Sequence, residues 1–454
     1  MTSIPQATAA APRWVKSLAV YLRPRVLIVM LLGFSSGLPL ALSGSTLQVW
    51  ASESGVNLET IGLFTLIGTP YSLKFLWAPL VDALDVPVLS AWLGRRRGWL
   101  VFSQLLLIGA ILFLAQCDPV SSQFALVIGA FLVASASATQ DIVVDAFRVE
   151  SLPEREQAAG MAGYVAAYRI GMLTSTAGVL FAVSYFEQEL GLMRPSAWRS
   201  GYALMAALVV IGIITSIAAT EPGRSEEILT PGQGPSRPKR VLETAISALV
   251  EFFQRETLLI GMVVLAFVVL FKFTDAFAGA MTPAFVIKIG FSRNDYAAIV
   301  KGVGLAATLI GGFAGGFVAR RYPLVTSLCI GGILQAAANL AFSWQALIGV
   351  DRAALAVAIT IENFTSAIGT VIFVAYLSAL CRNPLHTATQ YALLTALAAL
   401  GRTVLSAGAG KVATVTGWPW FFVICALVGL PSLLLLWWLQ RQGHFARLKL
   451  SRET

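Results

Sequence analysis

The sequence predicts an all-α integral membrane protein with about twelve transmembrane helices in two pseudo-symmetric six-helix bundles. Of its 454 residues, 57% are hydrophobic and 12% are charged, about half the charged share of a typical soluble domain. The apolar residues come in blocks of about 20, the length of helix that crosses a bilayer core, whereas barrel strands would alternate over about 10 residues. The predicted spans are 24–47, 59–80, 99–117, 123–147, 157–184, 201–220, 257–287, 295–318, 323–345, 351–380, 387–413 and 418–439.

The polar segments divide the chain into two bundles joined by a linker. We expect a cytoplasmic tail at 1–23, bundles at 24–220 and 257–440, a Pro- and Gly-rich cytoplasmic linker at 221–256, and a cytoplasmic C-terminal tail at 441–454. Lysine and arginine are concentrated in alternate loops, and cytoplasmic loops carry such an excess. The opposite set of loops holds only Arg194, Arg199, Lys288, Arg293 and Arg352. Both termini and the linker are therefore predicted to be cytoplasmic.

The composition also excludes several classes of function. A net charge of +9 could suit a nucleic-acid partner, but the basic residues lie in short loops and form no stripe, so we expect none. The four cysteines have no metal-ligand spacing, and the two histidines, His386 and His444, flank apolar blocks, so we expect no metal and no cofactor. The stretch 33–37 fits the hydrolase elbow pattern, but no histidine is available inside the membrane, so we predict no enzyme.

The two halves of the sequence repeat each other. The second span is followed by the Gly-Arg-Arg-Arg segment 94–97, and the eighth ends in a glycine- and arginine-rich segment at 315–321. The mid-span segments 169–178 and 401–410 also match, each with an arginine near its start. Two parallel halves joined by a cytoplasmic linker resemble the major facilitator superfamily, whose substrate site lies between the halves. The resemblance implies a gating loop, in a looser form than usual, made of Asp82, Gly94, Arg95 and Arg96.

Charged residues inside the predicted spans indicate a polar path. A charge at bilayer depth costs at least about 2.5 kcal/mol, so it faces a bundle interior or water. Asp141 and Asp145 are four residues apart and share one helix face. Because neighbouring carboxylates in a low dielectric favour binding a proton, they are candidates for proton coupling. Alternatively, they pair with Arg148 or with the 95–97 loop.

Two charged groups in the second half extend this path. Lys272 and Asp275 are three residues apart, and they either neutralise each other or contact the substrate. Glu362, which has Asn363 beside it, lies near the middle of its span and is a second coupling candidate.

Arginines and amides supply candidate substrate contacts. Arg169 and Arg402 occupy similar mid-span positions in the two halves. They either bind an anionic substrate with two hydrogen bonds each or pair with internal carboxylates. Gln140 and Gln390 are uncharged donors and acceptors that suit sugar hydroxyls or amides.

At the level of motifs, the chain resembles the AmpG-type muropeptide permeases over nearly its whole length. The matching stretches are 33–40, 71–79, 94–100, 138–146, 168–172, 272–278, 362–363 and 388–394. The resemblance implies proton-driven import of N-acetylglucosaminyl-1,6-anhydro-N-acetylmuramic acid and its peptides across the bacterial inner membrane. It further implies a role in peptidoglycan recycling and, in some bacteria, in β-lactamase induction. The partners are then the anhydro-muropeptide, protons and the lipid bilayer, and we expect a monomer.

This interpretation assigns a role to each candidate residue. The proton-coupling candidates are Asp141, Asp145, Asp275 and Glu362. The substrate-binding candidates are Gly37, Gln140, Arg169, Lys272, Asn363, Gln390 and Arg402. Two other functions stay open: a related permease for another anion such as acetyl-coenzyme A, and a non-transporting membrane sensor. A sensor would not need intramembrane charges in both halves, so the sequence disfavours it.

Overall fold

The computed structural model describes residues 22–222, 258–380 and 387–453, and every regular element in these ranges is a helix. In chain order the helices are α1 (Pro24–Glu53), α2 (58–83), α3 (Arg95–Gln116), α4 (Gln123–Ser151), α5 (154–188), α6 (Arg194–Ala218), α7 (Leu258–Ile289), α8 (Arg293–Arg321), α9 (Leu324–Ile348), α10 (Arg352–Leu380), α11 (387–416), α12 (Trp418–Arg441) and α13 (His444–Glu453), with a short helix Leu89–Leu93 before α3. The twelve predicted spans correspond to α1–α12, which confirms the predicted all-α membrane fold. Residues 1–21 of the predicted tail and 223–257 around the predicted linker lie outside the described residues.

The predicted spans α2 and α11 are interrupted helices, and α7 is also broken, at Lys272. Within the described residues, 10 helices are long and apolar enough to cross a membrane, and α2 and α11 are the remaining two spans. α2 contains two 3-10 turns, Phe64–Gly68 and Lys74–Leu76, and Pro70 and Pro79 stand near the start of the pieces that follow them. Proline has no backbone N–H to continue the preceding helix, so it favours such breaks. α11 is broken after Ser406.

Each bundle is assembled around its own helix contacts. In the first bundle α1 packs on α4, α5 and α6, and α3 packs on α4 and α6. In the second bundle α10 packs on α8 and α9, while α12 packs on α7 and α9. Each of these contacts joins two helices of the same half.

Glycines set the distance between α1 and α5. A Cβ atom on Gly37 would lie 2.1 Å from the carbonyl oxygen of Tyr168, and one on Gly171 would lie 2.3 Å from that of Phe34. Small residues allow membrane helices to approach this closely. Gly37, a substrate-binding candidate, thus touches the α5 backbone.

The two bundles meet at one face of the molecule. We name the face at which α6 ends and α7 begins the linker face, and the other the opposite face. Near the opposite face one continuous buried core crosses both bundles, with Trp50 in the first and Phe285 in the second. Toward the linker face the core divides into separate clusters, one around Phe147 and one around Phe267. The bundles are therefore closed on each other at the opposite face.

The interrupted helices α2 and α11 form part of this closure. A Cβ atom on Gly410 would lie 1.8 Å from the carbonyl oxygen of Leu58, and one on Gly62 would lie 2.8 Å from the amide nitrogen of Gly410. The two helix backbones are thus in direct contact across the two halves.

Substitution of Gly37 tests the α1–α5 contact. Gly37→Ala would place a methyl group against the Tyr168 carbonyl, and such overpacking costs about 1–3 kcal/mol. We expect a lower midpoint in thermal unfolding of the purified protein in detergent. Gly109→Ala on α3 is the matched control, because a Cβ atom there meets open space. Equal midpoints for the two variants would show that the contact does not limit stability.

Candidate functional site

A carboxylate cluster lies between α1, α2 and α4. The Ser36 hydroxyl donates a hydrogen bond to the Asp141 carboxylate. Lys74 Nζ lies 4.0 Å from Asp141 Oδ2 and 3.9 Å from Asp145 Oδ2. The predicted shared face of the two aspartates is present, and one lysine serves both.

The two aspartates differ in their surroundings. The Asp145 side chain is 48% exposed and forms an ion pair with Arg148 at 3.5 Å. This is the pairing that the sequence left open as an alternative to proton coupling. The Asp141 side chain is only 11% exposed. Its partner Ser36 also accepts a hydrogen bond from the Tyr164 hydroxyl at 3.4 Å. Asp141 is therefore the enclosed acid of the pair.

The second bundle holds a different cluster, at the break in α7. Lys272 stands between the two helical pieces of α7 and forms an ion pair with Asp275. Its Nζ also donates to Thr370 Oγ1 at 3.1 Å, and the Ser366 hydroxyl donates to Asp275 Oδ2 at 2.6 Å. The two charged side chains are 7% and 12% exposed. Lys272 and Asp275 thus neutralise each other here, which was one of the two predicted arrangements.

Glu362 lies on α10 beside this cluster. Asn363 Nδ2 donates to Glu362 Oε2 at 2.7 Å, and the Thr308 hydroxyl donates to Asn363 Oδ1 at 3.2 Å. The carboxylate is within electrostatic range of Lys272 and Lys301. α8, α10 and α7 therefore bring two carboxylates and two lysines into one region.

The two clusters occupy equivalent positions in the two halves. Ser36 precedes the end of α1 by 17 residues, as Lys272 precedes the end of α7. Asp141 follows the start of α4 by 18 residues, as Thr370 follows the start of α10. At these equivalent positions α1 and α4 pair a hydroxyl with a carboxylate, whereas α7 and α10 pair an ammonium with a hydroxyl. Sequence reasoning missed Ser36 and Thr370 as partners, although Ser36 lies in a motif that it had noted.

The other predicted site residues lie outside these hydrogen-bonded clusters, although Arg402 on α11 is within electrostatic range of Asp275. The Arg169 side chain on α5 is exposed, and Arg402 on α11 is partly buried and donates from Nε to a carbonyl one turn earlier at 3.2 Å. Gln140 is fully buried in the first bundle and donates to Ser35 Oγ at 3.2 Å, so it joins α4 to α1. The side chain of Gln390 lies outside the described residues.

The predicted gating loop caps the start of α3. The backbone N–H groups of Arg96 and Arg97 donate to the Glu221 carboxylate at 2.8 and 3.1 Å. A carboxylate at a helix N-terminus satisfies free N–H groups and complements the helix dipole. Gly94 has a φ of +93°, and a Cβ atom there would lie 2.5 Å from the Glu221 side chain. The turn before α3 therefore binds Glu221, the first residue of the predicted linker.

The same loop also holds the end of α4. Arg96 donates from Nε to Glu150 Oε2 at 2.9 Å and from Nη2 to Oε1 at 2.5 Å. Arg95 lies 3.7 Å from the same carboxylate. The side chain of Asp82 lies outside the described residues. A role for this loop in gating stays a prediction.

Comparisons with known proteins agree with this architecture. A family model described as Major Facilitator Superfamily matches residues 29–384. The anhydromuropeptide permease of Escherichia coli (strain K12) is 37% identical over 420 residues, which cover 92% of this chain and 80% of that protein. The protein named AmpG 4 of Rickettsia felis is 34% identical over 418 residues, which cover 92% and 97%. The crystal structure of the nucleoside transporter NupG matches with a TM-score of 0.68 at 12% identity, over 91% of this chain and 98% of that chain.

Two six-helix bundles with charges inside both define the class, a membrane transporter of the major facilitator type. The chain belongs to the Major Facilitator Superfamily and, within it, to the AmpG-type permeases. This confirms the family that the motifs predicted. The relatives are named as permease and transporter, in agreement with the expectation that the chain is not an enzyme.

A double-mutant cycle tests the Lys272–Asp275 pair. Lys272→Met leaves the Asp275 carboxylate buried without its cation, and breaking a buried pair from one side costs about 3–5 kcal/mol. We expect a clear drop in thermal unfolding temperature, and partial recovery when Asp275→Asn is added. Lys288→Met, at an exposed position of the same helix, is the control. A double variant no more stable than Lys272→Met would contradict the pairing.

Proposed function

We propose that this protein imports anhydro-muropeptides, N-acetylglucosaminyl-1,6-anhydro-N-acetylmuramic acid and its peptides, from periplasm to cytoplasm. The observation that carries the proposal is the 37% identity to the anhydromuropeptide permease of Escherichia coli over 92% of this chain. The protein lies in the inner membrane as a monomer and serves peptidoglycan recycling, which in some bacteria also induces β-lactamase.

The distribution of charge supports the proposed orientation. The linker face carries the Arg95–Arg97 segment and the basic end of α8, Arg320 and Arg321. Because cytoplasmic loops are enriched in lysine and arginine, we place the linker face and both termini in the cytoplasm. The closed opposite face is then periplasmic.

Import is coupled to protons through Asp141 in this proposal. Lys74 lies at nearly equal distances from Asp141 and Asp145. Protonation of Asp141 removes one of the two charges that hold Lys74 and leaves it to Asp145. A proton on Asp141 thus changes the contact between α2 and α4, which is what coupling requires. Asp145 suits the role less, because it is half exposed and has two cations beside it.

Asp275 and Glu362, the acids of the second bundle, are assigned different roles. Asp275 is held by Lys272 and by the Ser366 hydroxyl, so its carboxylate already has two partners. Glu362 accepts a hydrogen bond only from its neighbour Asn363 within the described residues, so it is the second coupling candidate.

Muropeptides carry sugar hydroxyls, amides and peptide carboxylates, and the polar groups of both bundles match this chemistry. We assign carboxylate recognition to Arg402 and Arg169, and amide or hydroxyl recognition to Asn363 and Gln390. Lys272 contributes only if the substrate displaces Asp275. Gly37 and Gln140 act through α1 packing, because both face neighbouring helices of the first bundle.

Uptake by proteoliposomes tests the cargo. Labelled anhydro-disaccharide is expected to accumulate when the outside is acidic, and an uncoupler is expected to abolish accumulation. Excess unlabelled anhydro-disaccharide should compete, whereas acetyl-coenzyme A should not. Lack of uptake by correctly inserted protein would refute the permease proposal, and competition by acetyl-coenzyme A alone would favour the other anion.

Neutral variants of the two aspartates test the coupling. Asp141→Asn keeps the shape of the side chain but cannot take up a proton, so we expect loss of gradient-driven accumulation with counterflow exchange retained. Asp145→Asn, one turn away on the same face, should keep accumulation. The reverse pattern would move the coupling site to Asp145, and normal accumulation in both variants would remove this cluster from the mechanism.

A further inference from the structure

An arginine of the second bundle is buried among residues of the first bundle at the opposite face. Arg293, in the first turn of α8, donates from Nε to Glu53 Oε1 at 2.9 Å. Its Nη2 lies 2.8 Å from Glu187 Oε2. The three side chains are 8%, 10% and 19% exposed. One guanidinium thus joins the ends of α1 and α5 to the start of α8.

Residues of the first bundle hold the two carboxylates in place. Trp198 Nε1 donates to Glu53 Oε2 at 3.2 Å, and Arg194 Nε lies 3.4 Å from Glu187 Oε1. The Arg293 guanidinium lies 5.6 Å from the centre of the Trp198 ring, within the range of a cation–π contact. Each carboxylate therefore keeps one partner in its own bundle when Arg293 leaves.

The second bundle fixes the turn that presents the arginine. Ser292 and Asp295 form a capping box around Arg293, and Asp295 Oδ1 lies 2.6 Å from Arg352 Nε. Next to the arginine, the Ser184 hydroxyl donates across the two halves to Asn294 Oδ1 at 2.8 Å. Both partners of the contact, the arginine in the second bundle and the carboxylates in the first, are therefore held in position by residues of their own bundle.

The strength of this contact depends on its burial. A guanidinium between two carboxylates forms strong charge-assisted hydrogen bonds, and they are weakened little by salt when water is excluded. Separation of the bundles at this face would withdraw Arg293 and hydrate all three charges. A carrier must nevertheless separate them there in each cycle, and the partners Trp198 and Arg194 make that withdrawal reversible.

We propose that Arg293 is a latch that holds the periplasmic face closed, and that its release from Glu53 and Glu187 is required for the outward-open state. The latch lies away from the acid clusters, near the ends of α1 and α5. It rests on the proposed orientation but not on the proposed cargo, so its test uses no substrate.

Distances between spin labels across the opposite face test the latch. Labels are placed at Leu190 in the first bundle and Val350 in the second, which are 56% and 61% exposed, after replacement of the four native cysteines. We expect Arg293→Gln to raise the ratio of long to short distances by at least about tenfold, because truncating one partner of a buried charge pair costs more than that factor. Arg199→Gln, an exposed arginine of the same face, should leave the ratio unchanged.

Two further variants guard against a merely structural effect. The double variant Glu53→Gln/Glu187→Gln removes the carboxylates and keeps Arg293. It should raise the ratio of long to short distances in the same way, so it tests the latch even where Arg293→Gln does not fold. The exchange Glu53→Arg/Arg293→Glu should restore part of the closed population. An unchanged distance ratio in a folded variant that lacks either side of the contact would overturn the latch.

Discussion

The arrangement of this protein depends on one constraint: a charge at bilayer depth must have a partner. Asp141 is held by Ser36 and Lys74 from two other helices. Lys272 is held by Asp275 and by hydroxyls of α10. Because most of these partners come from different helices, the pairs that stabilise the charges also fix how the helices pack. The groups proposed to carry function in each bundle are therefore also groups that set its packing.

The two halves satisfy this constraint in opposite ways. At equivalent positions the first bundle pairs the Ser36 hydroxyl with a carboxylate, and the second pairs the Lys272 ammonium with the Thr370 hydroxyl. The charges are balanced within each half, because Lys74 lies between Asp141 and Asp145 in the first and Lys272 pairs with Asp275 in the second. The two halves therefore present different groups at equivalent positions, an acid in the first and an ammonium in the second, and each group has an oppositely charged partner.

Sequence reasoning predicted the spans well, because length and apolar composition are local properties. It gave the Lys272–Asp275 pair as one of two arrangements, since residues three apart meet on one helix. It did not predict the Ser36–Asp141 bond, which joins positions 105 residues apart, or the burial of Gln140 against Ser35. Arg293 was used only as a loop charge that sets orientation. Its two carboxylate partners lie at the ends of other helices in the other half, and no periodicity in one segment can indicate such a contact.

The acid cluster and the latch are connected by the same two helices. α1 carries both Ser36 and Glu53, and α5 carries both Tyr164 and Glu187. Between these contacts each helix has a π-helical turn, Leu42–Thr46 in α1 and Thr174–Gly178 in α5, and Gly44 has non-helical backbone angles. Such turns weaken the regular hydrogen-bond ladder and are places where helices bend. The end of each helix that carries a latch carboxylate can therefore move relative to the part that packs at the acid cluster. The two helices that connect the acid cluster to the latch can thus bend between these sites.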